Sequence, residues 1–453
     1  MIRKKEIYIK IFKIIYVIGW QLFKYLFHYN KNRLIRNIAE CLADENILYV
    51  KLFQAICTNS CLFNDHQTNF LIKYTDNVPY NDSDIDYDFL NTLAIIGTKK
   101  PEYNISLNLV PINSGTISVI FVGKMGDKNV AIKVIKKNIK DKLDEALCIV
   151  SYIISFLVCV PYLKHLNLNT IYEENYDMMI KQTDFQNELN NIKLFHKTNE
   201  NISYIVIPEV YDIFTNANPN IIVMDYIEGD TIRNISIDDC ETYAKLINKF
   251  AIKSILFDRL YHADLHAGNI FFIKNPIKDK IKDENVDENV DENVDENVDD
   301  ESKMSYKLGV IDFGIVGILD KKAQNIYFQF FKLIFDDKID NNKLGEFILK
   351  NFVEPEYIIN NLDKTSREYI IDKLAKIILY ALNTEKNFGV NNIYQINRLL
   401  AKYKLYLQRN FCKIEMSLAI CSNLNNYLCR DGKHLEKLKE ITNELFDAKL
   451  LLI

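Results

Sequence analysis

The stretch His262-Ala263-Asp264-Leu265-His266-Ala267-Gly268-Asn269 constrains this chain more than any other. It sets an Asp and an Asn five positions apart and runs directly into Ile270-Phe271-Phe272-Ile273, so the polar pair sits in a loop that feeds a strand. Downstream, Gly309-Val310-Ile311-Asp312-Phe313-Gly314 puts a second Asp at the end of another apolar run. A fold that uses these residues must bring the ends of the two strands together. Asp, Asn and Asp are oxygen donors, suited to a hard ion such as Mg²⁺ that keeps some of its waters. The layout is that of a phosphate-transfer site. In such a layout one Asp, here Asp264, is expected to face the acceptor hydroxyl, with Asn269 and Asp312 expected to hold metal on a triphosphate. The competing reading is three ordinary turn residues, and it needs the spacing, the strand and the Asp-Phe-Gly to coincide.

The rest of such a site is sought upstream. Ile117–Val122 and Val130–Ile135 are β-branched runs separated by Gly and Asn, which predicts a hairpin. The second run reads Val130-Ala131-Ile132-Lys133, and a Lys on that strand pairs with nucleotide phosphates and with a helical Glu. Phe185, Leu189, Ile192 and Phe195 form a helical stripe with Glu188 beside it, and an ionised Glu there is costly unless paired. Ile221 to Tyr226, with Met224 inside it, reads as the strand leading to a hinge where a purine meets backbone. A Gly-rich phosphate loop is missing. In its place stands Pro111-Ile112-Asn113-Ser114-Gly115-Thr116-Ile117-Ser118, where Gly115 lets backbone approach phosphate and Ser114 and Thr116 offer donors. No Ala-Pro-Glu follows the Asp-Phe-Gly, so a peptide-docking activation segment is expected to be absent or very short.

Charge is uneven along the 453 residues. Residues 283–301 hold eleven acids and no base, and setting them aside turns the net charge from −5 to +6. The folded part is thus mildly basic, which suits a phosphate ligand or an anionic membrane, and no nucleic-acid partner is expected. Residues 283–298 are four tandem Asp-Glu-Asn-Val units, too polar to offset ordering entropy, and read as a disordered loop between two strands. Nine Cys without a C-x-x-C point to free thiols in a reducing compartment, and His262 and His266 lack the companions of a zinc site.

The first 39 residues carry nine Lys or Arg and one acid, around an apolar stretch from Ile7 to Phe27 broken by Lys10, Lys13 and Lys24. Three readings compete: a core-packing helix, an interfacial amphipathic helix, or an organelle-targeting segment. The uncharged run Ala146–Leu163 is long enough to cross a bilayer. Lys133 and Asp264 must nevertheless meet at one nucleotide, so a buried helix or helical hairpin is expected. The last 130 residues read as helices, with apolar periodicity at Ile326–Phe335 and Ile370–Leu382.

Taken with these motifs, the chain resembles the UbiB, or aarF-domain-containing (ADCK-type), family of atypical kinases, over roughly residues 31–320. His262 to Asn269 and Ile311-Asp312-Phe313-Gly314-Ile315-Val316-Gly317 resemble that family's signature almost residue for residue. The resemblance implies Asp264 as catalytic Asp, Asn269 and Asp312 as metal ligands, and Lys133 with Glu188 as the nucleotide pair. Lys51-Leu52-Phe53-Gln54 resembles the family's Lys-x-Gly-Gln motif with Phe53 in place of Gly. Gln182-Thr183-Asp184 stands where the family has Glu-x-Asp. Lys51, Gln54 and Asp184 are therefore the implied regulatory contacts over the site, in altered form. The kinase-type site implies ATP and Mg²⁺ as cofactors, and the family's tie to coenzyme Q biosynthesis and membrane lipid homeostasis implies a lipid- or quinone-linked role. That tie also implies an anionic membrane or lipid- and quinone-pathway proteins as partners, with peripheral membrane contact in cytoplasm or organelle.

The expected fold is α+β: a bilobal protein-kinase-like fold with an N-terminal helical extension and a mainly helical C-terminal lobe. Its segments are a basic apolar segment at 1–30, an extension at 31–110, an N-lobe at 111–227, and a C-lobe at 228–453 with the acidic insert at 276–305. The expected function is Mg-ATP binding with hydrolysis or phosphoryl transfer in a lipid- or quinone-linked process. Two alternatives stand beside it: a catalytically silent nucleotide-binding scaffold at a membrane, and a small-molecule phosphotransferase of the aminoglycoside or choline kinase type. The latter type lacks the Lys-Leu-Phe-Gln extension.

Overall fold

The computed structural model describes residues 4–46, 48–50, 78, 80–157, 172–173, 176, 179–276, 304–336, 338–384, 390–429 and 434–450. Lys51, Gln54, the Asp-Glu-Asn-Val units and the end of the 146–163 run lie outside the described residues.

Two helices open the chain, α1 (Lys4–His28) and α2 (Lys31–Glu45). Ile14 and Gln21 of α1 are buried, and Ile7, Ile11, Ile18 and Tyr25 fall on the same face at helical spacing, packed on the core. Lys10 and Lys13 pair with Glu145 and Glu45. The opposite side leaves Tyr8, Phe12, Tyr16, Trp20, Phe23 and Phe27 exposed. Helix α3 (Asp88–Lys99) then leads into the small lobe.

That lobe is a five-stranded antiparallel sheet: β1 (Ile105–Leu107), β2 (Asn113–Ser114), β3 (Ser118–Met125), β4 (Lys128–Ile135) and β6 (Ile221–Asp225), in the path β1-β3-β4-β6 with β2 on β3. The sheet thus reaches back past residue 111 to Ile105. The β3–β4 strands run longer than the apolar pattern suggests, because Gly126 takes a φ of +61° and closes the hairpin in two residues. Central strand β4 is buried from Val130 onward. One side of the sheet packs Phe121 against Phe89 of α3 and Phe214 of α6 (Asp212–Ala217). Before α6 come α4 (Ile139–Leu157), α5 (Phe185–Asn199) and β5 (Ile205–Val206). Helix α4 buries Ala146, Leu147, Ile149 and Ile154 in the core. Among the described residues no helix is long and apolar enough to cross a membrane.

The larger lobe starts with α7 (Cys240–Lys253), which ends in one π-turn, Ser254–Asp258, before β7 (Leu260–His262). Strands β8 (Ile270–Pro276) and β9 (Met304–Val310) pair antiparallel across the acidic insert, with β5 parallel on β9. Strand β10 (Val316–Ile318) pairs with β7, and Asp320 at once caps α8 (Lys321–Ile334) through Ala323 N. Next come α9 (Asn341–Phe352), β11 (Val353–Glu354), α10 (Glu356–Asn360), α11 (Lys364–Thr384), α12 (Val390–Ala401), β12 (Tyr406–Leu407), α13 (Arg409–Leu428) and α14 (His434–Leu450). The periodic runs at 326–335 and 370–382 fall in α8 and α11. This is an α+β, kinase-like architecture.

Helices α9 and α11 cross so closely that a Cβ on Gly345 would lie 2.2 Å from the Ile371 carbonyl oxygen. Backbone cannot move aside cheaply, so Gly345→Ala is expected to lower the unfolding free energy by about 1–3 kcal/mol in a urea titration.

Candidate active site

The site is assembled by three elements that meet at the edge between the lobes. Strand β4 carries Lys133, α5 carries Glu188, and the turn after β9 carries Asp312. Helix α5 buries the face Phe185, Glu188, Leu189, Ile192 and Phe195, and Asp184 caps it by accepting a hydrogen bond from Asn187 N. Lys133 Nζ lies 2.6 and 2.9 Å from the two Glu188 oxygens and 3.2 Å from Asp312 Oδ1. The Phe185 ring sits 5.4 Å from the same ammonium. The Glu188 side chain is 1% exposed and that of Lys133 9%, whereas that of Asp312 is 41% exposed. One carboxylate is thus a fixed internal partner, and the other opens toward solvent.

Burial alone drives an ammonium toward neutrality. The Asp312 and Glu188 charges overcome it and raise Lys133 above the ordinary lysine value. Desolvation also opposes the charge of Asp312, yet Lys133 holds that carboxyl down at about 2. For Glu188 burial pushes upward, against the pull of Lys133. The bidentate contact favours the ionised form of the pair.

The two loops that carry the remaining residues are laced together by backbone. Ala263 N donates to Ile315 O at 3.0 Å, and Ile311 N donates to Asn269 O at 3.0 Å. His262, 3% exposed, ties both loops through its ring. Asp264 N donates to Nδ1 at 3.2 Å, which leaves the Nε2 proton facing Ile311 O at 3.3 Å. Burial keeps this imidazole neutral by lowering its pKa. The ring packs 5.2 Å from Phe313, which in turn lies 4.9 Å from Phe195 of α5. Asp312 itself adopts a φ of +59°, a left-handed conformation that costs a non-Gly residue about 1–2 kcal/mol. Asn269 Nδ2 donates to the Asp264 carbonyl at 2.9 Å, so its Oδ1 is left without a hydrogen bond among the described residues. Asn269 Oδ1 and Asp312 Oδ2 are two uncommitted hard oxygens, the donor chemistry a Mg²⁺ ion takes. The Asp264 carboxylate is one-third exposed, with His266 Nε2 3.9 Å away.

The structure therefore brings Lys133, Glu188 and Asp312 into one contact, and wires Asp264 to Asn269 in the adjoining loop. Met224 is buried opposite Ala131 in the sheet register, on the strand that leads to the hinge. Ser114 and Gly115 sit at the turn between β2 and β3. Ser114 is fully buried with its hydroxyl toward the Gly115 carbonyl, 3.4 Å away. That carbonyl also accepts from Lys136 Nζ at 2.8 Å. Lys136 was not singled out from sequence. Burial lowers it to about 8, and its role in closing the turn depends on a fold contact 21 residues away. Ser417 of α13 was also invisible, and its hydroxyl donates to the His262 carbonyl at 2.7 Å. Of the implied regulatory contacts, Asp184 is the described member, and it is the α5 cap.

A sequence model of the ABC1 atypical kinase-like domain matches residues 95–346, more than half the chain. The chain belongs to the ABC1, or UbiB-type, family of atypical kinases. Among its relatives in that comparison, an uncharacterized protein in the hydrogenase 1 5′ region of Clostridium pasteurianum is 23% identical, over 88% of this chain and 71% of its own length. A probable protein kinase UbiB of Shewanella sp. (strain MR-4) is 22% identical, over 84% of this chain and 64% of that protein. The chain thus spans less than two thirds of the length of this UbiB relative. The Rv3197–erythromycin complex from Mycobacterium tuberculosis aligns with a TM-score of 0.46 and 15% identity, covering 79% of this chain and 86% of that one.

Two outcomes follow from the ion-pair geometry of this family member. Lys133→Met leaves Glu188 buried and uncompensated, and is expected to cost about 3–5 kcal/mol by chemical denaturation. The double variant Lys133→Met/Glu188→Leu recovers most of that loss. The depressed pKa of Asp312 contributes stability above the unfolded-state value of about 4, and that stability is lost as pH falls toward about 2. An acid titration of Asp312→Asn should therefore show a shallower fall over this window than the wild type.

Proposed function

We propose that this atypical kinase-like protein binds ATP with Mg²⁺ and hydrolyses it or transfers its γ-phosphoryl group. The observation that carries the reading is the contact of the Lys133 ammonium with both Glu188 and Asp312. An ammonium aligned by a buried carboxylate is positioned to meet phosphate oxygens. Asn269 and Asp312 would hold the metal through the oxygens left uncommitted, and the ion would spread the charge of the transferring group. Asp264, partly exposed and fixed by its own backbone contacts, orients an acceptor hydroxyl or a water. Met224 and its strand lead to the hinge for the base, and the Ser114–Gly115 turn is the place for phosphate to approach backbone. Proteins that share this family's signature are tied to quinone and lipid metabolism, which favours a lipid- or quinone-linked acceptor. The short segment after the Asp-Phe-Gly supports this, since β10 alone lies between Gly314 and the cap of α8.

A membrane surface is the favoured setting. The aromatic side of α1, with the exposed Lys24 on the same helix, suits an anionic interface in which rings enter the headgroup layer and the ammonium group stays wet. Regulation through Lys51, Gln54 and Asp184 belongs to the same proposal.

The test is Mg²⁺-dependent ATP turnover by purified protein, with and without vesicles containing anionic lipid. Asp264→Asn is expected to reduce turnover about 10²–10⁴-fold. Asp312→Asn should remove the Mg²⁺ dependence along with turnover, and wild-type turnover should rise with vesicles. Nucleotide binding without turnover in either condition would replace the enzymatic reading with that of a nucleotide-operated scaffold. Unchanged turnover in Asp312→Asn would refute the site assignment.

A further inference from the structure

The larger lobe contains a cavity of about 80 Å³. None of the residues that line it belongs to the Lys133–Glu188–Asp312 group or to the 262–269 loop. Its walls are hydrocarbon: Ile252 from α7, Phe331 and Phe335 from α8 and its end, Ile378 from α11, Leu418 from α13 and Leu438 from α14. Five different helical segments converge on it, so the space is a product of packing at high sequence separation. A core that closed fully would have filled it.

Within this wall stands Glu415 of α13, 4% exposed, with Oε1 lacking any hydrogen-bond partner. Among the described residues no basic side chain acts on it, and burial pushes its carboxyl up to about 8. The other polar lining groups are engaged or weak. The Asn248 amide oxygen accepts from Asn425, Ser422 has interactions of its own, and Cys421 offers a thiol. A lone carboxyl in an apolar wall destabilises the fold, and a Leu of similar size would suit the core better. A molecule entering the space beside it could bring the missing partner.

We propose that this slot is a second ligand site that binds an apolar amine, its hydrocarbon against Phe331, Phe335 and Leu418 and its ammonium on Glu415. The charges balance on binding: the amine arrives protonated, Glu415 releases its proton to water, and a carboxylate–ammonium pair replaces a neutral acid. A fatty acid brings a second acid and no counter-charge. An alcohol brings one neutral hydrogen bond, weaker than the charge-assisted bond of an amine. The space is small, so a single unbranched alkyl chain is the probe that suits it. The proposal stands independently of whether the Lys133 site turns over ATP.

Isothermal titration of the full-length protein with n-octylamine, n-octanol and n-octanoate tests it, without nucleotide. Wild type is expected to bind octylamine at least about tenfold more tightly than either of the others. Glu415→Gln keeps the shape and should lose about that factor for octylamine while leaving octanol unchanged. Leu418→Trp fills the slot and should abolish all binding, with cooperative thermal unfolding confirming that both variants are folded. Octanoate or octanol binding as tightly as octylamine would overturn the proposal. So would equal octylamine affinity in Glu415→Gln, or no octylamine heat in a folded wild type.

Discussion

One ammonium, enclosed by two carboxylates and an aromatic ring, sets the positions of everything around it. Lys133 has to be charged to justify Glu188, and Glu188 has to be buried to hold α5 in place. Because β4 is central in its sheet and α5 is packed along its full inner face, neither partner has room to choose a different geometry. Asp312 then meets the ammonium from the other lobe, so the relation between the lobes is written in one electrostatic contact. The positive φ of Asp312 is tolerated because the loop is held from both sides, by Phe313 under the His262 ring and by Asn269 against Ile311.

His262 illustrates how a residue can serve the site without touching a reactant. Read from sequence, it is a loop-shaping residue next to Asp264. In the fold it is a neutral ring with both nitrogens spent, one on the Asp264 amide and one on the Ile311 carbonyl. It joins the loop of Asp264 and Asn269 to the strand end that carries Asp312. Protonation would break one of these bonds and place a charge in a buried ring, and burial works against this by lowering the pKa. The alignment of the three polar side chains is thereby insulated from changes around neutral pH.

Much of the fold was legible because its signals are local. The strand Val130–Ile135, the stripe Phe185–Phe195 and the strand after Asn269 each announce themselves within a dozen residues, and each forms as the periodicity predicts. The pairing of Lys133 with Glu188 was legible for a different reason, the match of the strand Lys to a kinase-type pattern that demands a helical Glu; the contact of Asp312 with the same ammonium comes from the fold. What sequence did not reveal comes from long-range packing. Lys136 matters through a turn, Ser417 through a carbonyl 155 residues away, and Glu415 through a gap between helices. Nothing in the neighbouring residues of any of these distinguishes it from an ordinary helical or strand position. Ser114 was expected to offer a donor and is instead fully buried, because β2 pairs with β3 and turns that side chain inward.

The hydroxyl of Ser417 bears on where this protein's unit of cooperation ends. The family's sequence pattern stops at residue 346, yet the loop it defines is clamped from α13, and α7 lies beneath both α13 and α14. The recognisable domain and the smallest piece able to stand alone are therefore different objects. Cutting the chain where the pattern ends would bare the apolar side of α7 and release the His262 carbonyl, leaving the polar loop in place but without its backing. The tail thus serves the site by its shape, through a helix that brings a donor to that carbonyl.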